Sequence, residues 1–145
     1  MVDFSDLLKG TLESINKAFR EVESDLSDVS SRISTAVKTN VGGQFDIIKS
    51  EVRNTIDGVV YRFYFDTNVN DDTADAVTLC FIRLPVTGYP IFAGKYNYKD
   101  KIFSPQEELS DKQELELYFE RFFDNPESAL IQAIGFALRK NRTAE

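Results

Sequence analysis

Eight apolar residues, Leu8, Leu12, Ile15, Phe19, Val22, Leu26, Val29 and Ile33, recur at alternating steps of four and three. Ala36 extends the series, and the positions between hold mostly Ser, Asp, Glu, Lys, Arg, Asn and Thr. That spacing keeps a single stripe on an α-helix and fits no strand. No proline interrupts residues 4–38, and Gly10 is the one glycine there. The pattern predicts a helix over 1–40, capped by Asp3 or Ser5 and stopped by Gly42-Gly43. At 1.5 Å per residue such a helix runs roughly 50 Å, longer than a compact domain of this size needs.

In heptad terms Leu12, Phe19, Leu26 and Ile33 take position a, and Leu8, Ile15, Val22 and Val29 take d. Extra apolar residues are few: Phe4, Leu7, Ala18 and Val37. A stripe this narrow suits helix–helix pairing better than lying on a sheet, which asks for a wider apolar face. The seam Leu8 to Ile33 is therefore expected to be an interface, within a homo-oligomer or with a partner protein. The competing reading makes it the core face of a helix lying on its own domain.

After the glycines the period changes. Asp57-Gly58 between Ile56 and Val59 signals a two-residue hairpin turn. Closing it there pairs Ile56 with Val59, Asn54 with Tyr61, Val52 with Phe63 and Ser50 with Phe65, against a rival helical reading of 45–56 on Phe45, Ile48, Val52 and Ile56. The run 76–84 is apolar on both faces and rich in β-formers, as a central strand would be. Pro85 and Gly88-Tyr89-Pro90 break it, and 91–98 predicts a fourth strand.

Two capping-box spacings follow, Ser104-Pro105-Gln106-Glu107 and Ser110-Asp111-Lys112-Gln113. Leu115, Tyr118, Phe119, Phe122 and Phe123 predict one helical face. Ala129, Leu130, Ala133, Ile134, Ala137 and Leu138 predict another, with Asn125 as its cap and Pro126 in its first turn. The expected fold is α+β, one domain over 1–145. A coiled-coil-like helix (1–40) leads into a mostly antiparallel four-stranded sheet (44–98), and two helices (104–141) close the chain.

Composition removes whole classes of chemistry. The chain has no His, one Cys and no Trp. Imidazole acid–base catalysis, Ser-His-Asp and Cys-His nucleophiles and the His-bearing zinc motifs are excluded. One Cys cannot form an intramolecular disulfide, which favours a reducing compartment. The first residues lack a basic, then apolar, leader pattern, and no run approaches a membrane span. A cytoplasmic protein is expected, with no membrane partner. The net charge of −7 disfavours nucleic acid as a partner for the surface as a whole and suits a basic one.

Few residues suggest a site. Asp66, Asn68 and Asn70 have the alternation of a calcium loop's first half, but Asp71 stands where that loop needs Gly and Val77 where it needs Glu. A turn rich in Asp and Asn explains them more simply. Cys80 lies in an apolar run with no base to activate it. Glu116 and Glu120 share one helical face and read as its wet side. Phosphate-cradling glycine loops are absent. Arg53, Arg62, Lys95, Lys99 and Lys101 with Tyr96 and Tyr98 could gather into a basic, aromatic patch of the kind that binds single strands, diluted by Asp57, Asp66 and Asp100.

No catalytic residue, metal site or cofactor is expected. The sequence points to a non-enzymatic protein–protein interaction module that self-associates through its N-terminal helix. A carboxylate- or cation-dependent enzyme using the 66–75 loop, and a nucleic-acid binder, are the rival readings.

Overall fold

The computed structural model describes residues 1–42, 45–66 and 76–143. The elements run α1 (Phe4–Val41), β1 (Asp46–Thr55), β2 (Gly58–Asp66), β3 (Val77–Leu84), β4 (Ile91–Asn97), β5 (Ile102–Leu109), α2 (Lys112–Asp124) and α3 (Ala129–Thr143). The five strands form one antiparallel meander in the order β1-β2-β3-β4-β5. The α+β class and the three helices match expectation. The sheet has one strand more.

The N-cap of α1 is Asp3, whose Oδ1 accepts from the Asp6 amide at 3.2 Å. Gly42 ends the helix at φ 138°, and its amide donates to the Lys38 carbonyl at 3.2 Å. Asp111 caps α2 and accepts from the Glu114 amide at 2.8 Å, while Glu114 accepts in return from the Ser110 amide. The cap sits one residue later than its Ser110 reading, and the return bond goes to the residue before it rather than to the cap's own amide. Ser128, not Asn125, leads into α3: its Oγ accepts from the Ile131 amide at 3.2 Å and donates to the Phe122 carbonyl. Asn125 and Pro126 belong to the turn before it.

The extra strand corrects the helical reading of 104–107. Ser104-Pro105-Gln106-Glu107 lies inside β5, paired with β4 from Asn97↔Ile102 to Ile91↔Leu109. A capping box precedes a helix only when helical apolar periodicity follows it, and here none does. Pro105 is tolerated because β5 is an edge strand whose register slips beside it.

The hairpin register is also corrected. Thr55 pairs with Gly58, so Ile56 and Asp57 form the turn. Gly58 follows at φ 120° and lies in the sheet. A Cβ on Gly58 would sit 2.1 Å from the Leu84 carbonyl oxygen, so the glycine serves close approach to β3. A second slip between Glu51 and Arg53 sets Phe63 opposite Lys49 and Phe65 opposite Ile47.

All three helices cover one face of the sheet. Phe45, Ile47, Phe63, Phe65, Ile82, Leu84 and Ile91 meet Val22, Leu26, Val29, Ile33, Leu115, Phe119 and Leu130 in the core. Among the described residues no helix lies on the opposite face. Alternation puts Val60, Phe81, Arg83, Phe92, Tyr96 and Phe103 on it. No helix among the described residues is long and apolar enough to cross a membrane.

Candidate interaction surfaces

The heptad stripe serves two purposes along its length. Val22, Leu26, Val29 and Ile33 are buried under the chain's own sheet, with Leu26 at 0% exposure. Residues 1–14 are all exposed: Phe4 is 77%, Leu8 60% and Leu12 49% accessible. Ile15 and Phe19 lie between, half-buried. The C-terminal half of the expected seam is thus core, and its N-terminal half is unpartnered within the chain.

The division has a structural cause. The β3–β4 turn meets α1 at Ala18, where a Cβ on Gly88 would come within 3.0 Å of the Ala18 carbonyl oxygen. About two turns further on, the Tyr89 hydroxyl donates to Asp25 Oδ2 at 2.7 Å. Burial and this bond to a carboxylate push the Tyr89 hydroxyl well above the ordinary tyrosine range. From there the helix is held. Asp28 bridges Arg32 (3.1 Å) and Lys112 (2.9 Å), and Arg32 reaches Glu116 at 2.7 Å. The Lys112 ammonium, then Arg32, lowers the Asp28 carboxyl. Lys38 pairs with Asp46 at 3.4 Å, and Ser34 donates to the same carboxylate. N-terminal to Ala18 no such contact exists among the described residues. Residues 4–14 therefore run roughly 16 Å past the body.

The open sheet face holds a second surface. Arg83 lies over the rings of Phe92 and Phe103, 5.1 Å from each centroid. Tyr96 and Tyr98 meet edge to face at 5.0 Å, and Phe81 packs beside both. Arg53 donates to the Lys101 carbonyl at 3.0 Å. Two adjoining concavities of about 350 and 360 Å³ share Arg53, Tyr96 and Lys101. Arg83 and Phe103 line the first, Tyr98 the second.

Part of the basic, aromatic patch expected from sequence is brought together: Arg53, Lys101, Tyr96 and Tyr98. Arg62 shares the face but is occupied elsewhere, donating to Thr78 Oγ1 at 2.8 Å and lying over Tyr64. Lys95 alternates onto the other side of β4, with Ala93. Lys99 sits in the turn beyond β4. Sequence reasoning missed Arg83, hidden as an alternate residue of an apolar strand, and Phe103, which stands just before the segment read as a helix start.

The remaining candidates are quickly placed. Asp66 ends β2 opposite Asp46, while Asn68 and Asn70 lie outside the described residues, as does most of the 66–75 loop. Among the described residues no group of three His, Cys, Asp or Glu side chains could hold a metal. Cys80 is buried beside Tyr118, and burial pushes its thiol up to about 12. Glu116 is tied to Arg32, and Glu120 lines a shallow apolar cleft between α1 and α2. Comparison with protein-family models, with curated proteins and with solved structures finds no match for this chain.

Proposed function

We propose that this chain is a non-enzymatic protein–protein interaction module that pairs with a second copy of itself through the projecting part of α1. The observation behind this reading is the apolar stripe of Phe4, Leu7, Leu8 and Leu12, exposed on a helix that outruns its own body. A helical segment of this length is marginal in water alone, and Gly10 weakens it by about another 1 kcal/mol. Covering one leucine side chain gains about 1.5–3 kcal/mol. A partner helix supplies that cover.

Charge along the overhang favours a second copy, running antiparallel. Asp3 and Asp6 lie near its tip, Lys9 and Glu13 along it, and Lys17 and Arg20 near its root. Antiparallel pairing about a two-fold axis sets tip against root and brings unlike charges together, whereas parallel pairing stacks like on like. The buried half of the stripe, Val22 to Ile33, holds each helix rigidly to its body.

Light scattering over a wide concentration range tests the reading. The native chain is expected at twice 16.5 kDa, and the double variant Leu8→Glu, Leu12→Glu at 16.5 kDa. A native chain that stays at the single-chain mass throughout overturns self-association.

A further inference from the structure

We infer that the helix-free face of the sheet binds single-stranded nucleic acid, with phosphates at Arg53, Arg83 and Lys101 and bases against Tyr96 and Tyr98. The chain carries a net charge of −7, yet this face gathers three cations around two adjoining concavities. Among the described residues Asp57 is the one carboxylate lining either. None of the three cations has a carboxylate partner among the described residues: Arg53 donates to a backbone carbonyl and Arg83 rests on two rings. Arg83 Nε is buried and has no hydrogen-bond partner. Assembling like charges without counter-ions costs free energy that an anion would recover.

The rings narrow the class of anion. A phosphate or carboxylate alone needs only the cations. Tyr98 is 58% exposed and lies edge to face with Tyr96, beside the cations rather than behind them. Flat faces next to positive charge suit unstacked bases on a charged backbone. The shared lining of the two concavities makes one continuous track with room for more than one nucleotide. The acidic helix α2 lies in the other layer, about 10 Å away behind the sheet, which is more than a screening length at physiological salt. Its repulsion does not reach a short strand strongly. A long duplex would meet it, and its stacked bases could not use the rings.

The test is fluorescence anisotropy of the full chain with labelled oligothymidylate and oligouridylate of about twelve nucleotides. Both are expected to bind. With three phosphates neutralised, affinity should fall about 20-fold between 50 and 200 mM salt. Lys101→Glu and Tyr98→Ala alter exposed side chains, and circular dichroism checks that both variants fold. Lys101→Glu should weaken binding and flatten the salt dependence. Tyr98→Ala should weaken it about fivefold or more and leave the salt dependence unchanged. Three results overturn the proposal: no binding at about 100 µM protein in 50 mM salt, equal displacement by polyglutamate of matched charge, or an unaltered affinity for Tyr98→Ala. Displacement by polyglutamate assigns the face to an acidic protein segment instead.

Discussion

Leu12 and Leu26 occupy the same heptad position two repeats apart, and the structure gives them opposite surroundings. Leu26 is fully buried between α1 and the sheet, and Leu12 is half exposed on the overhang. Leu26→Ala leaves a cavity in a packed core and should cost about 2–5 kcal/mol. For a chain of this size each kcal/mol moves the melting temperature by about 3–4 °C, so a fall of about 6–20 °C is expected. Leu12→Ala removes a side chain that touches little of its own chain and should shift stability by less than about 0.5 kcal/mol. Urea unfolding followed by circular dichroism measures both. It must be done at a dilution where light scattering gives the single-chain mass, because pairing would stabilise the native chain by mass action. At higher concentration Leu12→Ala should lose the stabilisation that native pairing adds. If Leu12→Ala is as costly as Leu26→Ala in the dilute regime, the overhang packs on its own body and the division of the stripe at Ala18 is wrong.

Gly58→Ala should destabilise by about 1–3 kcal/mol or more in the same urea assay, because it combines a positive φ with a Cβ 2.1 Å from the Leu84 carbonyl oxygen; an unchanged midpoint would refute that close approach. Cys80, pushed up to about 12 and buried, should resist a thiol reagent at pH 8 until the chain unfolds. Labelling faster than unfolding would contradict its burial. Tyr89 and Tyr118 have hydroxyls raised above the ordinary range, chiefly by burial. Below about pH 10 these groups are protonated in both states and add no pH dependence. Above it the unfolded chain ionises first, so stability should fall as pH rises, and ultraviolet titration should show both ionising only with unfolding. A single cysteine at residue 3 should form no disulfide with its own copy in an antiparallel pair, but should cross-link when mixed with a chain carrying cysteine at residue 20. Self-cross-linking at residue 3 in a protein of two-chain mass would indicate parallel pairing.

Local patterns carried α1, β3, β4 and α2 because each has a period or composition of its own. Four-three spacing marks α1, and the doubly apolar run marks β3. What the sequence left hidden depends on partners far along the chain. Ser104 to Glu107 satisfies a four-residue rule that many segments meet by chance, and its strand identity comes from pairing with β4. The Asp57-Gly58 dipeptide favours a turn, but the approach of Leu84 to Gly58 decides where the turn falls. The heptad spacing is the same on both sides of Ala18. What separates buried stripe from exposed stripe is Gly88 and Tyr89, which meet the helix from the β3–β4 turn. The open face follows the same rule. Arg83 reads as one charge in an apolar strand, and Arg53 and Lys101 as ordinary surface cations. Only the folded sheet sets the three around adjoining concavities, because β1 ends and β5 begins beside that surface, where Arg53 reaches the Lys101 carbonyl. The two candidate surfaces therefore differ in kind. The overhang is encoded locally and should keep its pairing tendency wherever the helix is grafted, whereas the open face exists only when all five strands are in register.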